Sequence, residues 1–532
     1  MKGKRVVGRL LFVGALAWVA SSAAQAPRRP PPAAREGRPK LVLLVAVDQL
    51  RADYLVRFRD GFTGGFARLL AGGAVFTNAH LEHYPTVTAV GHAAMLTGAI
   101  PAVSGIIGND WYDREAGAQV TSVSDPGVAL VGGTGPASSP HRLLVTTVAD
   151  ELKLAGRASR AVGVSFKDRA AILPAGRGAD GAFWLDGTGS FVSSTWYAPE
   201  LPAWARAFNE KSPADAYAGA EWKSLAPGGA VLKAMPAAPG RPLVLALWNS
   251  PFGNELLAAF AEAALEGERL GQGEGTDVLT VSFSANDSVG HARGPDAAEV
   301  REMTVQTDRI LGRLLAAVDR RVGLARTLVV LTSDHGLAPV PEEQARRRLP
   351  GGRLTTAALA EPVEKALGEA FGPGPWILST AGSALYLDLS RVRQAKLDDE
   401  EVQAVAARAL QAVPHVSRVL TRSQLLRGHV PDDPWCRRIL RGYHPRRGGD
   451  LEVLLEPYWM RASTGTTHGT PYAYDTHVPL VIMGPGTRPG RYDGEVALND
   501  LAPTLATLLE VEAPSGNAGR VLVEALAPRP AR

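Results

Sequence analysis

The chain has 532 residues, 45% of them hydrophobic and 21% charged, the balance of a globular protein with ample material for a core. The formal charge of +4 invites a nucleic-acid partner, but Lys2, Lys4, Arg5 and Arg9 account for it, leaving 53 basic against 53 acidic residues. A neutral body lacks the cationic surface that phosphate-backbone binding needs, and a lone cysteine, Cys436, excludes any intramolecular disulfide.

The basic start is followed by LLFVGALAWVA and then SSAAQA, the order of a secretory signal peptide. The apolar run is short for a bilayer span, and no cysteine follows it to carry a lipid. Cleavage is expected after Ala24 rather than Ala26, because Pro27 would follow the later site. The protein is therefore expected to be exported, periplasmic or secreted, with no stable membrane anchor. Residues 25–39, QAPRRPPPAAREGRP, read as a Pro-rich linker with too few apolar side chains to pack.

The folded region opens on KLVLLVAVD (40–48), a continuous apolar run of the kind buried in a parallel sheet. Similar runs follow at 160–166, 241–248, 277–287, 326–336 and 477–484, with helical patterns such as ELLAAFAEAALEGERL and AEVREMTVQTDRILGRLLAAVDRR between them. This alternation predicts an α/β fold: a mostly parallel sheet sandwiched between helices. Residues 110–160 and 338–465 break the rhythm and read as insertions forming a cap or side lobe. Within the second, 354–426 carries its own strand (SALYLDL) and helix (DEEVQAVAARALQAV), so a small α+β lobe is expected. The catalytic domain is bounded at 40–524, with EALAPRPAR a frayed tail.

Polar groups that suit metals stand where the apolar runs end. Asp48 closes the first; Asp287 closes VSFSAND, with His291 one helical turn later. Asp334 and His335 close TLVVLTS, and His468 precedes the last run. In open α/β sheets ligands bind outside the carboxyl ends of strands, so these six would cluster there. Asp and neutral His suit Zn²⁺. Taken singly, each is more often a cap or a turn residue; together and in this order they point to two divalent metals. In YPTVTAVGHAAMLTG (84–98) a polar stretch leads into a helix expected to open near Gly91. Thr88 would lie close to its N-terminus, where free N–H groups favour an alkoxide and a phosphate. Thr86 is the rival hydroxyl, and His92 reads as structural.

The series Asp48…Thr88-x-x-Gly-His…Asn-Asp-Trp-Tyr…Lys-Asp-Arg…Asp287-x-x-x-His…Ser-Asp-His-Gly…His468-Gly-x-Pro resembles the alkaline phosphatase superfamily, and within it the Thr-nucleophile alkaline phosphatases, relatives of the type I phosphodiesterase/nucleotide pyrophosphatases. The resemblance runs from about Lys40 to about Glu524. It implies one zinc held by Asp287, His291 and His468 and another by Asp48, Asp334 and His335. It favours Thr88 over Thr86 as the nucleophile of a phosphothreonine intermediate, with Asn109 on the phosphate. Two such ions about 4 Å apart can clamp the attacking and leaving oxygens of an in-line displacement. Lys167 and Arg169, two apart in what reads as an extended run, would present two cations on one face to a doubly charged monoester. The resemblance places such a Lys-x-Arg in the phosphomonoesterases, so monoesters are expected over diesters. The expected partners are small phosphate monoesters, with no nucleic acid, and the chain is expected to be a monomer. Competing expectations are a nucleotide pyrophosphatase/phosphodiesterase or a phosphonate hydrolase of the same fold. An exported, non-enzymatic metal-binding protein is the distant alternative. A sulfatase is disfavoured because Cys436 is far from the nucleophile position.

Overall fold

A computed structural model describes residues 38–528; the expected signal peptide and nearly all of the linker lie outside the described residues. β1 (Leu41–Val47) is buried along its whole length. Its side chains alternate between two cores: Leu41, Leu43, Val45 and Val47 enter one, and Val42, Leu44 and Ala46 the other. The main sheet continues with β2 (Ala74–His80), β3 (Ala161–Ser165), β4 (Gly181–Leu185), β5 (Asp277–Phe283) and β6 (Thr327–Thr332). A second sheet is built from β7 (Ile377–Ala381), β8 (Ala384–Leu387), β9 (Val416–Thr421) and β10 (Leu451–Leu455), after which β11 (His477–Met483) returns to the main one.

The inner order is β2–β11–β6–β1–β5–β3–β4. β1 pairs in parallel with both β5 and β6, and β3 in parallel with β5 and β4. β11 runs antiparallel to both its neighbours. Its reversal places its N-terminal end at the carboxyl edge of β1, β5 and β6, which is how the loop carrying His468 reaches that edge.

The helices that cover the sheet and build the lobe are, in chain order, α1 (Thr88–Thr97), α2 (Val148–Leu154), α3 (Asp168–Ala175), α4 (Arg241–Leu247), α5 (Pro251–Gly267), α6 (Ala285–Arg293), α7 (Ala298–Arg321), α8 (Thr356–Phe371), α9 (Asp399–Gln411), α10 (Pro434–Gly442) and α11 (Leu501–Leu509). Leu256 and Phe260 of α5 and Leu311 and Leu314 of α7 fill the first core. Met95 and Leu96 of α1, Val148 and Leu152 of α2, and Leu501 and Leu505 of α11 fill the second. The sheet is thus sandwiched between helices, the expected α/β class.

Three expectations are corrected. The run at 241–248 is a helix, not a strand. Pro242 lies in its first turn, and Leu243, Val244 and Leu247 are buried while Leu245 is 55% exposed, a one-sided rather than an alternating pattern. Residues 148–154, read as part of an insertion, form α2 under the main sheet. The described part of the tail does not fray: Arg488 N donates to Ala525 O at 2.8 Å and Ala527 N to Gly486 O at 2.8 Å.

Within residues 338–465 lies a second sheet with its own hydrophobic cluster, hereafter the lobe. Its antiparallel sheet, ordered β7–β8–β10–β9, packs on α8 and α9 through Val363, Leu367, Val402, Leu410 and Trp376. β10, at 451–455, lies inside this sheet, so the lobe extends well past Leu426. A smaller cluster with Tyr84, Leu454, Ile439 and the buried Cys436 joins it to the main body.

Candidate active site

Each strand at the carboxyl edge of the main sheet ends in a turn that releases one polar side chain. β1 stops at Val47; Asp48 follows, and Gln49 turns the chain with a φ of 69°. Such a left-handed backbone is costly for a residue with a side chain, and here two bonds hold it. Gln49 N donates to Asp334 Oδ1 at 3.1 Å and Gln49 Nε2 to Asp287 Oδ1 at 2.6 Å. In sequence, Gln49 is marked only as a polar residue just past Asp48. β5 leads into α6, whose first turn holds Asp287 and whose next holds His291. Gly290 sits between them because a Cβ there would lie 1.7 Å from Gln49 Oε1.

Thr88 is the first residue of α1, three positions earlier than expected, and all ten residues of that helix are buried. The N–H of Ala89 donates to Asn109 Oδ1 at 2.9 Å, so Asn109 satisfies an open helix-end donor and its amide nitrogen remains to donate. Gly91 lets α1 approach β6: a Cβ there would be 2.2 Å from Asp334 O. His92 is a fully buried support, as expected, with contacts to Thr88 O at 2.9 Å, Ser282 Oγ at 2.8 Å and Asp334 Oδ2 at 3.3 Å.

The six expected ligands converge. Asp48, Asp334 and His335 form one group, with His335 Nε2 lying 3.4 Å from Asp48 Oδ1 and 3.3 Å from Asp334 Oδ2. Asp287 Oδ1 lies 3.1 Å from His291 Nε2 and 3.7 Å from His468 Nε2. His335 also stacks on His468 with ring centroids 3.4 Å apart, and it joins Asp287 and His468 in a second tight group.

The proton placement is decided by the other ring nitrogens. His335 Nδ1 faces Gly336 O at 3.0 Å, His468 Nδ1 faces Thr86 O at 2.9 Å, and His291 Nδ1 faces Thr466 O at 2.7 Å. A carbonyl only accepts, so each Nδ1 carries a proton; burial lowers His335 and His468, whose neutral rings turn an Nε2 lone pair toward the carboxylates, whereas at His291 the Asp287 carboxylate outweighs burial and raises the ring. Lone pairs facing carboxylate oxygens call for a cation. Asp48 Oδ1 and Asp334 Oδ2 are buried with no hydrogen-bond partner, which a metal would supply. The donor set, three imidazoles and three carboxylates, fits divalent metals.

Lys167, 7% exposed, reaches into this cluster. Its Nζ donates to Asp48 Oδ2 at 2.5 Å and Asp287 Oδ2 at 2.7 Å, and lies 3.4 Å from Thr88 Oγ1. Burial pushes Asp48 well up, helped by Asp334. Burial also opposes ionisation of Asp287, but Lys167 and His291 outweigh it and hold that carboxyl well below the usual range. Burial disfavours the Lys167 ammonium too, yet Asp287 and Asp48 raise it. Burial lowers His335 and, with the neighbouring rings, lowers His468 much further, as neutral ligands require.

Lys167 and Arg169 do not lie on the expected extended run. β3 ends at Ser165 and α3 begins at Asp168, so the two cations come from a strand-to-helix turn and a first helical turn, not one extended face. Arg169 lies close enough for its charge to oppose that of Lys167. Its nearest ion pair, with Asp168, is long at 3.7 Å, and its Nε is buried without a hydrogen-bond partner.

Residues 42–464 match the model of the type I phosphodiesterase/nucleotide pyrophosphatase family. The chain belongs to this family, on its Thr-nucleophile alkaline phosphatase branch. The enzyme is 36% identical over 520 residues to alkaline phosphatase PafA of Elizabethkingia meningoseptica, covering 92% of this chain and 95% of that one. It is 34% identical over 516 residues to alkaline phosphatase PhoV of Synechococcus elongatus, covering 92% and 93%. The crystal structure of PafA superposes with a TM-score of 0.86 at 35% identity, over 92% of this chain and 99% of the other.

Proposed function

We propose that the enzyme is an exported alkaline phosphatase that holds two zinc ions and hydrolyses phosphate monoesters through a phosphothreonine at Thr88. One observation carries the reading: three imidazoles, each tied at Nδ1 to a backbone carbonyl, aim Nε2 at buried carboxylates beside a threonine that opens a helix. Asp287, His291 and His468 would hold one zinc, and Asp48, Asp334 and His335 the other. Bound there, zinc supplies Lewis acidity, favouring an alkoxide at neutral pH and offsetting charge on the phosphoryl oxygens. The chain's own residues do the rest. Thr88 Oγ1 forms a bond to phosphorus as the ester oxygen leaves, and the threonine proton ends on the released alcohol. Water then replaces Thr88, restoring its hydroxyl and releasing phosphate.

The free N–H groups at the start of α1 and the amide of Asn109 face the non-bridging oxygens, where phosphoryl transfer needs charge stabilisation. Lys167 adds a point charge beside Thr88 Oγ1, and Arg169 a planar fork with an unpartnered donor. Two cations favour a dianionic monoester over a diester, so diesterase activity is weaker. Replacing both by Ala lowers monoester kcat/KM far more than diester kcat/KM; equal losses would sink the preference.

Metal analysis of the purified protein checks the ion count, with two zinc per chain expected. Acid quenching during turnover, followed by peptide mass spectrometry, locates phosphate on Thr88; phosphate on another residue, or on none, would refute the covalent route. For export, the mature N-terminus is expected at Gln25, and N-terminal sequencing that finds Met1 in the exported fraction would overturn cleavage.

A further inference from the structure

A cleft of about 490 Å³ opens beside the site, lined by Val87, Asn109 and His468 and also by Ser383, Glu452 and Arg461. In an in-line displacement the leaving group departs opposite Thr88, and this cleft is the open space adjoining Asn109 and His468. Ser383 and Glu452 come from the lobe and Arg461 from the segment after it. Glu452, on β10, is 9% exposed and accepts a hydrogen bond from Ser383 Oγ at 2.9 Å. Arg461 is half-buried, and its guanidinium makes no ion pair or hydrogen bond among the described residues, although its charge reaches Glu452. Two opposite charges line one cleft without neutralising each other by contact.

We propose that Glu452 and Arg461 form a leaving-group subsite selecting phosphate monoesters whose alcohol carries both an ammonium and a carboxylate, the chemistry of O-phosphorylated hydroxy amino acids. This rests on the phosphomonoesterase reading. A substrate ammonium would be received by the Glu452 carboxylate and a substrate carboxylate by the Arg461 guanidinium, whose fork suits planar anions. Burial pushes the Glu452 carboxyl up to about 7, so it is ionised under alkaline conditions. The Ser383 hydroxyl holds one of its oxygens, which limits its rotamers.

The test compares kcat/KM on four substrates: O-phosphoserine (both groups), phosphoethanolamine (ammonium only), phosphoglycolate (carboxylate only) and phenyl phosphate (neither). Arg461→Gln is expected to lower phosphoserine and phosphoglycolate turnover by about tenfold and to leave the other two unchanged. Glu452→Gln is expected to lower phosphoserine and phosphoethanolamine turnover by a similar factor, leaving phosphoglycolate and phenyl phosphate unchanged. Losses of one factor on all four substrates, no losses, or a selective loss from only one variant would overturn the paired subsite. Absent phenyl phosphate turnover in the unaltered enzyme would instead defeat the phosphomonoesterase reading itself. Arg461 is the safer variant for folding, since it makes no bond that its removal would break.

Discussion

The two sheets handle polar residues in opposite ways. β1, β5 and β6 are buried on both faces along their whole length, and their charged side chains stand at or beyond the strand ends: Asp277 opens β5, while Asp48 and Asp334 follow β1 and β6. The lobe sheet is half open: β7 and β9 mix buried and partly exposed positions, and Glu452 sits within β10 rather than after it. Full burial concentrates the proposed catalytic groups at one edge, where neighbouring turns fix them. Partial burial leaves the proposed recognition residue Glu452 on a cleft wall. The first arrangement suits chemistry that tolerates no slack, and the second suits discrimination among alcohols.

The sharpest way to break this comparison is at the edge. Thr88→Ala is expected to cut kcat by about a thousandfold or more while metal content stays near that of the unaltered protein; turnover within tenfold would place the nucleophile elsewhere. Gly91→Ala comes next, because its Cβ would meet the backbone of Asp334, which cannot yield like a flexible side chain. A loss of about 2–3 kcal/mol in denaturant unfolding is expected, and Gly368→Ala in α8 of the lobe, where a Cβ meets open space, serves as the comparison by showing no such loss.

The seam between the regions offers two smaller effects. His83 is fully buried with neither ring nitrogen hydrogen-bonded, and burial lowers it to about 3. The unfolded chain therefore takes up a proton below about 6.5 that the folded one refuses, so stability present above that pH is lost as pH falls toward 3. The slope from this group approaches about 1.4 kcal/mol per pH unit, and His83→Leu should flatten it; an unchanged acid slope would show that His83 titrates freely. Smallest is Tyr84→Phe, which removes the 2.8 Å bond from Tyr84 Oη to Val453 O that ties the loop before Thr88 to β10. It should cost about 1 kcal/mol of stability, with kcat falling only a few fold.

Strand-end logic made the edge legible in the sequence. Asp48, Asp287 and Asp334 stand at or just past the ends of apolar runs, and their clustering follows from parallel pairing. His468 was harder, since only the reversed direction of β11 brings its loop to the same edge. Periodicity failed at 241–248, where the six apolar residues from Leu243 to Trp248 fit a buried strand and a buried helix equally well. It failed again at Lys167 and Arg169, because the strand-to-helix switch after Ser165 carries no Gly or Pro to mark it. Gln49 and the lobe's β10 depended on contacts between distant segments, which no local pattern encodes.

The antiparallel return of β11 also sets an order of events. Asp48 is made first and His468 near the end, so a chain truncated before His468 lacks that proposed ligand and also β11, the strand between β2 and β6. Under the proposed ligand assignment, capture of metal by the full set would test completeness: a chain released before His468 could not supply all six ligands.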